Sequence, residues 1–239
     1  MKQQKKKGFS LIECLISLTI FLLIILACME FLISARRHYS NLKEEQELQN
    51  AALSALDKIR SDIIDAGRGL NHPARLGIIQ GLYEESGALV FLSADCALEV
   101  NGDLFEGQNR IWIDKRSEAI PGKMICLFDS IKGETKSIIS SDSQSIFIST
   151  PLEHSYKNEQ LHLVLIRKIS LFLHQDNEIL RRKVNTSPSQ PLAENVSDFD
   201  FFYDESSNLF KIGLTSKGRK EKVYELCIFP KNMAFCQRF

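Results

Sequence analysis

Two patterns of hydrophobic and polar residues divide the chain. After a lysine-rich start, residues 9–29 are apolar or small with Glu13 as their only charge, and Glu30 is followed by three more apolar residues. No Gly or Pro occurs from residue 9 to residue 66, so the sequence permits a helix of up to 58 residues, about 87 Å long. Beyond residue 70 the apolar residues alternate with polar ones, which predicts β-strands.

The apolar stretch has the length of a membrane-spanning helix. Its 21 residues rise about 30 Å, the thickness of a bilayer's hydrocarbon core. Four lysines lie among the first seven residues, and they favour a cytoplasmic N-terminus with the rest of the chain exported. A secretory signal peptide has a shorter apolar core that ends at a small-residue cleavage site, so residues 9–33 are predicted to remain as an anchor.

The second part of the predicted helix carries one apolar stripe. Its members alternate at spacings of four and three residues: Ala52, Leu56, Ile59, Ile63 and Ala66. Such spacing draws a single line along a helix, so this line is predicted to face a folded domain. Residues 36–49 are mostly polar, and glycines 67 and 69 are predicted to end the helix.

Nine segments after residue 70 are predicted to be strands: 88–92, 110–114, 123–128, 145–149, 161–173 (bent or bulged), 178–184, 196–203, 210–214 and 223–229. Turns are predicted at 101–102, 121–122, 132–133, 176–177, 187–191 and 206–208. The predicted class is α+β, a long N-terminal helix packed on an antiparallel β-sheet domain. We expect four regions: residues 1–8, a leader; 9–33, the membrane helix; 34–69, its amphipathic continuation; and 70–239, the β-rich domain.

Composition narrows the function. With 44% hydrophobic and 25% charged residues, the chain falls outside the disordered, collagen-like and polytopic membrane classes. Thirty basic residues balance thirty acidic ones, so no global excess favours nucleic acid. The basic clusters at 181–183 and 217–222 are interpreted as solvated strand ends or turns, and nucleic-acid binding stays a secondary hypothesis.

No catalytic motif is present in the sequence. None of the five histidines falls in a metalloprotease spacing, and no phosphate-binding loop occurs. Asp198 and Asp200 could be taken for an acid–base pair, but strand alternation places Phe199 and Phe201 on the opposite face, which favours two surface carboxylates. We therefore expect a protein that is not an enzyme and needs no cofactor or metal.

Cysteines are the remaining candidates for chemistry. Cys14 and Cys28 are about 21 Å apart along a helix, too far to join. The exported domain holds four more, which allow three pairings. Cys227 and Cys236 bracket a proline and could close a ten-residue segment, which leaves Cys96 with Cys126; this is the preferred pairing, with a zinc site as its rival.

The N-terminal residues carry a family resemblance. Lys5-Lys6-Lys7-Gly8-Phe9-Ser10-Leu11-Ile12-Glu13, followed by an apolar run, resembles the class III signal of type IV pilins and type II secretion pseudopilins. The resemblance implies cleavage between Gly8 and Phe9 by prepilin peptidase, and methylation of the Phe9 amine by the same enzyme. It also implies that Glu13 pairs with the terminal amine of a neighbouring subunit.

Weaker matches point to a subclass. Residues 56–67 resemble the helix end of larger minor pilins, while 121–127 and 191–203 are similar to strands of W-type minor pilins and J-type pseudopilins. The resemblance implies other pilins or pseudopilins, the inner-membrane assembly platform and the lipid bilayer as partners. The sequence does not separate a pilus from a type II secretion or a competence system.

These observations favour a minor prepilin or pseudopilin, a structural subunit at or near a filament tip. Its location is the inner membrane, with the N-terminus cytoplasmic and the β-rich domain periplasmic or extracellular. The alternative is a signal-anchored periplasmic domain with binding or enzymatic activity that never assembles.

Overall fold

A computed structural model describes residues 10–113, 121–204, 206–218 and 221–233. Contacts divide the chain into two compact units, Met1–Glu47 and Leu48–Phe239. The first unit contains the apolar part of helix α1, and the second contains the end of that helix, a short helix and twelve strands among its described residues. Fold class is α+β, as predicted.

Helix α1 (Leu11–Asp65) runs without interruption through the segment that lacks Gly and Pro. It ends where predicted, because Gly67 and Gly69 adopt positive φ values of 76° and 72° that disfavour any other residue. Asn232 donates a side-chain hydrogen bond to the carbonyl oxygen of Ile64 at 2.7 Å, which satisfies one of the acceptors left open at the helix end.

The predicted apolar stripe of α1 is confirmed. All five of its members are buried, and Ile59 and Ile63 are fully inaccessible. Burying such a side chain contributes about 1.5–3 kcal/mol, so the stripe fastens the end of α1 to the strands of the second unit. Two further residues on this face, Ala55 and Asp62, are also buried.

The larger sheet has nine strands: β1 (Leu82–Glu85), β2 (Ala88–Leu98), β3 (Arg110–Trp112), β4 (Met124–Phe128), β5 (Gly133–Ser141), β6 (Ser145–Ile148), β7 (His162–His174), β8 (Ile179–Val184) and β9 (Gln190–Ala193). Its order is β1-β2-β7-β4-β5-β6-β3, and all recorded pairs are antiparallel. Strand β7 pairs with β2 on one edge; on the other, its first half pairs with β4 and its second half with β8 and, through it, β9.

A second, three-stranded sheet is a meander of β10 (Val196–Asp204), β11 (Leu209–Lys217) and β12 (Glu221–Ile228). The main core lies among the end of α1, strands β2, β7 and β8, and this meander. A second core joins β3 to β7, and a third lies on the opposite face of the large sheet beside α2 (Asn71–Arg75).

The long predicted strand at 161–173 is a single strand, β7, and the register shift lies in its partner β2, between Ala94 and Cys96. Two turn predictions need correction. The turn predicted at 132–133 ends at Gly133, which already opens β5, and the turn at 187–191 gives way to β9 at Gln190. Strand β1, strand β5, strand β9 and helix α2 were not predicted.

Candidate functional site

Glu13 lies on the first turn of α1, where it caps its own helix. The backbone N–H of Ser10 donates to Glu13 Oε2 at 2.9 Å, and the N–H of Ile12 donates to Ser10 Oγ at 3.4 Å. The Ser10–Glu13 bond is the glutamate half of a capping box, and Ser10 Oγ caps the next-but-one residue; together they satisfy backbone donors that a helix start leaves open. The carboxylate is therefore turned toward the N-terminal end of the helix, where the helix dipole favours negative charge.

The surface around Glu13 is apolar and exposed. Large apolar residues from Leu11 to Ile33 are 44–82% accessible, and α1 is the one helix within the described ranges that is long and apolar enough to cross a membrane. The two hydroxyls in this stretch bond their own helix: Ser17 donates to the carbonyl of Glu13 and Thr19 to that of Ile16, each at 2.8 Å. Glu13 is thus a charge near the start of a surface suited to lipid or to other apolar helices, and Glu30 is the second charge on that surface.

Gly8 and Phe9, the predicted cleavage site, lie outside the described residues. Sequence reasoning found Glu13 through its charge but missed the capping role of Ser10. The signal was present, since a serine three residues before a glutamate at the start of an apolar run is the pattern of a capping box.

The second unit contains a buried ion pair that sequence reasoning also missed. Arg182 Nε donates to Asp62 Oδ2 at 2.6 Å, and Arg182 Nη2 donates to Asp62 Oδ1 at 3.0 Å. Their side chains are only 7% and 5% accessible, so the pair joins α1 to β8 inside the core. The interpretation of 181–183 as solvated is therefore wrong for Arg182, because β8 alternation turns this one residue toward the helix.

A second polar cluster surrounds Lys136 on β5. Lys136 Nζ lies 2.9 Å from Glu134 Oε2 and 2.7 Å from Glu153 Oε1, and Tyr156 donates to Glu134 at 3.1 Å. Burial alone would lower the pKa of Lys136, but the hydrogen bonds and charges of Glu153 and Glu134 outweigh it and raise that pKa. Burial and the neighbouring Glu134 charge raise the pKa of the Tyr156 hydroxyl well above its usual value. These contacts hold loop 149–157 onto β5.

The preferred disulfide between Cys96 and Cys126 is absent, because Cys126 is a free thiol. Strand β7 lies between their strands, since Cys96 pairs with Leu165 and Cys126 with Val164. Adjacent residues of β7 point to opposite faces, so the two thiols also face opposite ways, and two strand spacings of about 4.8 Å exceed the reach of a disulfide. Burial raises the pKa of Cys126 to about 12.

Cys227 is an exposed free thiol on β12. Its predicted partner, Cys236, lies outside the described residues, so this pairing stays a prediction. The described part of the chain contains no cluster of three or more His, Cys, Asp or Glu side chains that could hold a metal ion.

A surface depression in the second unit contains two of the histidines. It is lined by His72, Phe128, Asp129, Ser130, Gln160 and His162. The ring of Phe128 lies 5.7 Å from that of His72 and 5.4 Å from that of His162. His72 Nε2 contacts the backbone carbonyl of Asp129 at 2.9 Å, so this ring is engaged by backbone rather than by a carboxylate that would tune it as a catalytic base.

As predicted, Asp198 and Asp200 are exposed on β10, while Phe199 and Phe201 turn toward the core. The two carboxylates lie on the outer face of the meander. They belong to the solvated side of an amphipathic strand.

In the comparison with protein families, residues 3–29 match the prokaryotic N-terminal methylation motif. The chain therefore carries a type IV pilin-like signal for prepilin peptidase, followed by a single membrane anchor. Comparison with curated proteins gives no match.

Among solved structures, the chain is similar to the Gp54 tailspike of Acinetobacter baumannii bacteriophage AP22, in complex with A. baumannii capsular saccharide. The identity is 11% and the TM-score 0.29, and the likeness covers 32% of this chain and 15% of the tailspike chain. A likeness of this size carries no argument about fold or function.

Proposed function

We propose that the chain is a minor prepilin-type subunit, cleaved between Gly8 and Phe9, methylated at Phe9 and assembled into a type IV pilus or a type II secretion pseudopilus. The observation that carries the proposal is the methylation motif over residues 3–29, continuous with an exposed apolar helix that presents Glu13 on its first turn. The proposed role is structural, as it is for proteins with this motif.

The lysines beside the membrane anchor support an orientation with the N-terminus in the cytoplasm. Lysines 2, 5, 6 and 7 precede the apolar stretch, and positive charges beside a membrane helix favour the cytoplasmic side. The β-rich unit would then lie in the periplasm or outside the cell. The partners would be prepilin peptidase, the inner-membrane assembly platform and other pilins or pseudopilins.

The capping geometry supports the assembly role of Glu13. A chain that begins at Phe9 has its amine one residue before Ser10, whose N–H already donates to the Glu13 carboxylate. In lipid an acidic side chain costs roughly 2.5–3.5 kcal/mol, and an ammonium is also unfavourable. A neighbour displaced by four residues, about 6 Å, brings its amine level with this carboxylate, so the two charges favour one axial register.

A minor role near the filament tip rests on the weaker resemblance to W-type minor pilins and J-type pseudopilins. Within the second unit, the end of α1 is held by the buried stripe and the Asp62–Arg182 pair. The second hypothesis, an anchored periplasmic binding domain, would use the depression between His72 and His162.

Two substitutions separate the charge of Glu13 from its capping role. Glu13→Gln keeps an acceptor for the Ser10 N–H but removes the charge, and we expect it, like Glu13→Ala, to insert and be cleaved. Its incorporation into sheared filaments should fall roughly tenfold or more, because breaking a buried ion pair costs about 3–5 kcal/mol.

Ser10→Ala is the matched control, since it weakens the cap and leaves the carboxylate. It should be incorporated at nearly the normal level. Normal incorporation of Glu13→Gln would refute the pairing role, and failure of Ser10→Ala would assign the defect to helix capping instead.

A further inference from the structure

Glu30 is a second carboxylate on the apolar surface of α1. It follows Met29 and precedes Phe31, which are 54% and 73% accessible, and it is exposed itself. A helical side chain meets those three and four residues away, which here are Leu26, Ala27, Ile33 and Ser34. None of them is basic, so the helix supplies Glu30 with no counter-charge.

Arg37 is a positive charge that, like Glu30, has no opposite charge three or four residues away on its own helix. It is exposed, and its neighbours three and four residues away, Ile33, Ser34, Ser40 and Asn41, include no acid. The pair Lys43–Glu47, at 3.8 Å, shows the contrasting case in which spacing by four residues joins two charges of the same helix. Glu30 and Arg37 are seven residues apart, which places them on one stripe of a helix that packs with a 3.5-residue period.

Axial distances relate these charges to a neighbouring copy. In one copy, Arg37 lies about 10.5 Å beyond Glu30 along the helix. The 6 Å displacement that pairs Glu13 with a neighbour's amine carries that neighbour's Glu30 to within about 4.5 Å of the level of Arg37. Side chains of both parallel helices tilt toward the N-terminus, and because the Arg37 side chain is longer than that of Glu30, its tilt shortens the axial gap between the two charges.

For two helices that pack with a 3.5-residue period, the spacing of the charged residues along each helix fits the same neighbour. Phe9 and Glu30 are 21 residues apart, three full seven-residue repeats, so the amine and Glu30 fall on one stripe of the displaced helix. Arg37 lies 24 residues beyond Glu13, three repeats and three residues, which under the same 3.5-residue period are adjacent a-type and d-type positions of one stripe.

We infer that Glu30 pairs with Arg37 of a second copy of this chain at the outer edge of the membrane. This charge pair would be a second determinant of the axial register set by Glu13 and the terminal amine. It favours a parallel neighbour displaced by four residues, about 6 Å. The inference rests on the proposed assembly function but not on a position at the tip.

The test uses two differently tagged full-length copies, co-expressed with prepilin peptidase and co-purified from detergent-solubilised membranes. Glu30→Arg in both copies, or Arg37→Glu in both, should reduce co-purification at least fivefold. The double variant E30R/R37E exchanges the charges and should restore it to within twofold of the wild-type level.

The matched control is E30R/R36E, which has the same net charge but places the acid one position off the stripe. It should not restore co-purification. Equal rescue by both double variants, no loss in the single variants, or no co-purification of wild-type copies would overturn the inference. Mass spectrometry of the same samples distinguishes these results from failure of the proposed function, which would leave no N-terminus at Phe9.

Discussion

Replacing Asp62 with alanine leaves the Arg182 guanidinium buried in the core without its counter-ion. Arginine stays charged at any accessible pH, and with 7% of its side chain accessible it cannot turn to water without opening the helix–sheet contact. Lys58, whose Nζ lies 4.0 Å from Asp62, is half exposed and adds a cation rather than a substitute acceptor.

Asp62→Ala is expected to lower the free energy of unfolding substantially. Removing one partner of a buried pair costs about 3–5 kcal/mol, and for a domain of 150–250 residues each kcal/mol lowers Tm by about 2–4 °C. Asp62→Ala should therefore lower Tm by about 6–20 °C, measured on the full chain in detergent micelles by the loss of the near-ultraviolet circular dichroism signal.

Two controls define the result. Asp65→Ala, on the next turn of the same helix, removes an exposed ion pair with Arg68 at 3.2 Å and should cost less than about 1 kcal/mol. Replacing the buried pair by Asp62→Leu with Arg182→Met should recover most of the loss, because apolar residues of similar volume need no counter-charge. The reasoning is refuted if Asp62→Ala behaves like Asp65→Ala, or if the double variant is as unstable as the single one.

Three further outcomes are expected from the second unit. Cys126, buried and with its pKa raised to about 12, should resist thiol alkylation in the folded protein and react only on unfolding, as followed by mass spectrometry. The Lys136 hydrogen bond and charge lower the pKa of Glu153 below 4.5, so its stabilising effect is present above that pH and lost as pH falls through the lower folded pKa. Glu153→Gln should accordingly flatten the fall in Tm on acidification. A Cβ at Gly133 would lie 2.6 Å from the Leu127 carbonyl oxygen, so Gly133→Ala should cost about 1–3 kcal/mol in urea unfolding.

Periodicity predicted the parts of the fold in which apolar side chains alone face the core. The stripe from Ala52 to Ala66 and the alternation in the second half of β7 and in β11 are of this kind. Strand β5 escaped prediction because its first inward positions hold Glu134 and Lys136, which satisfy each other when buried but look solvent-exposed in a sequence. Strand β9 escaped because it contains Pro191, which an edge strand tolerates.

Contacts between side chains far apart in the chain could not be predicted from the sequence. Arg182 looks like one of three surface cations until β8 is placed against α1, and Cys96 and Cys126 look like partners until β7 is placed between them. The candidate site was easier to predict because its residues are close in sequence. Ser10 and Glu13, three residues apart, supply both the charge and the helix cap.

The N-terminus of the membrane-extracted protein tests the central claim most directly. Intact-mass and N-terminal peptide spectra of the chain, purified from cells that contain prepilin peptidase, should show a polypeptide that begins at N-methylated Phe9 and keeps its apolar helix. A chain that still begins at Met1, or one that has lost the whole segment 9–33, would contradict the account.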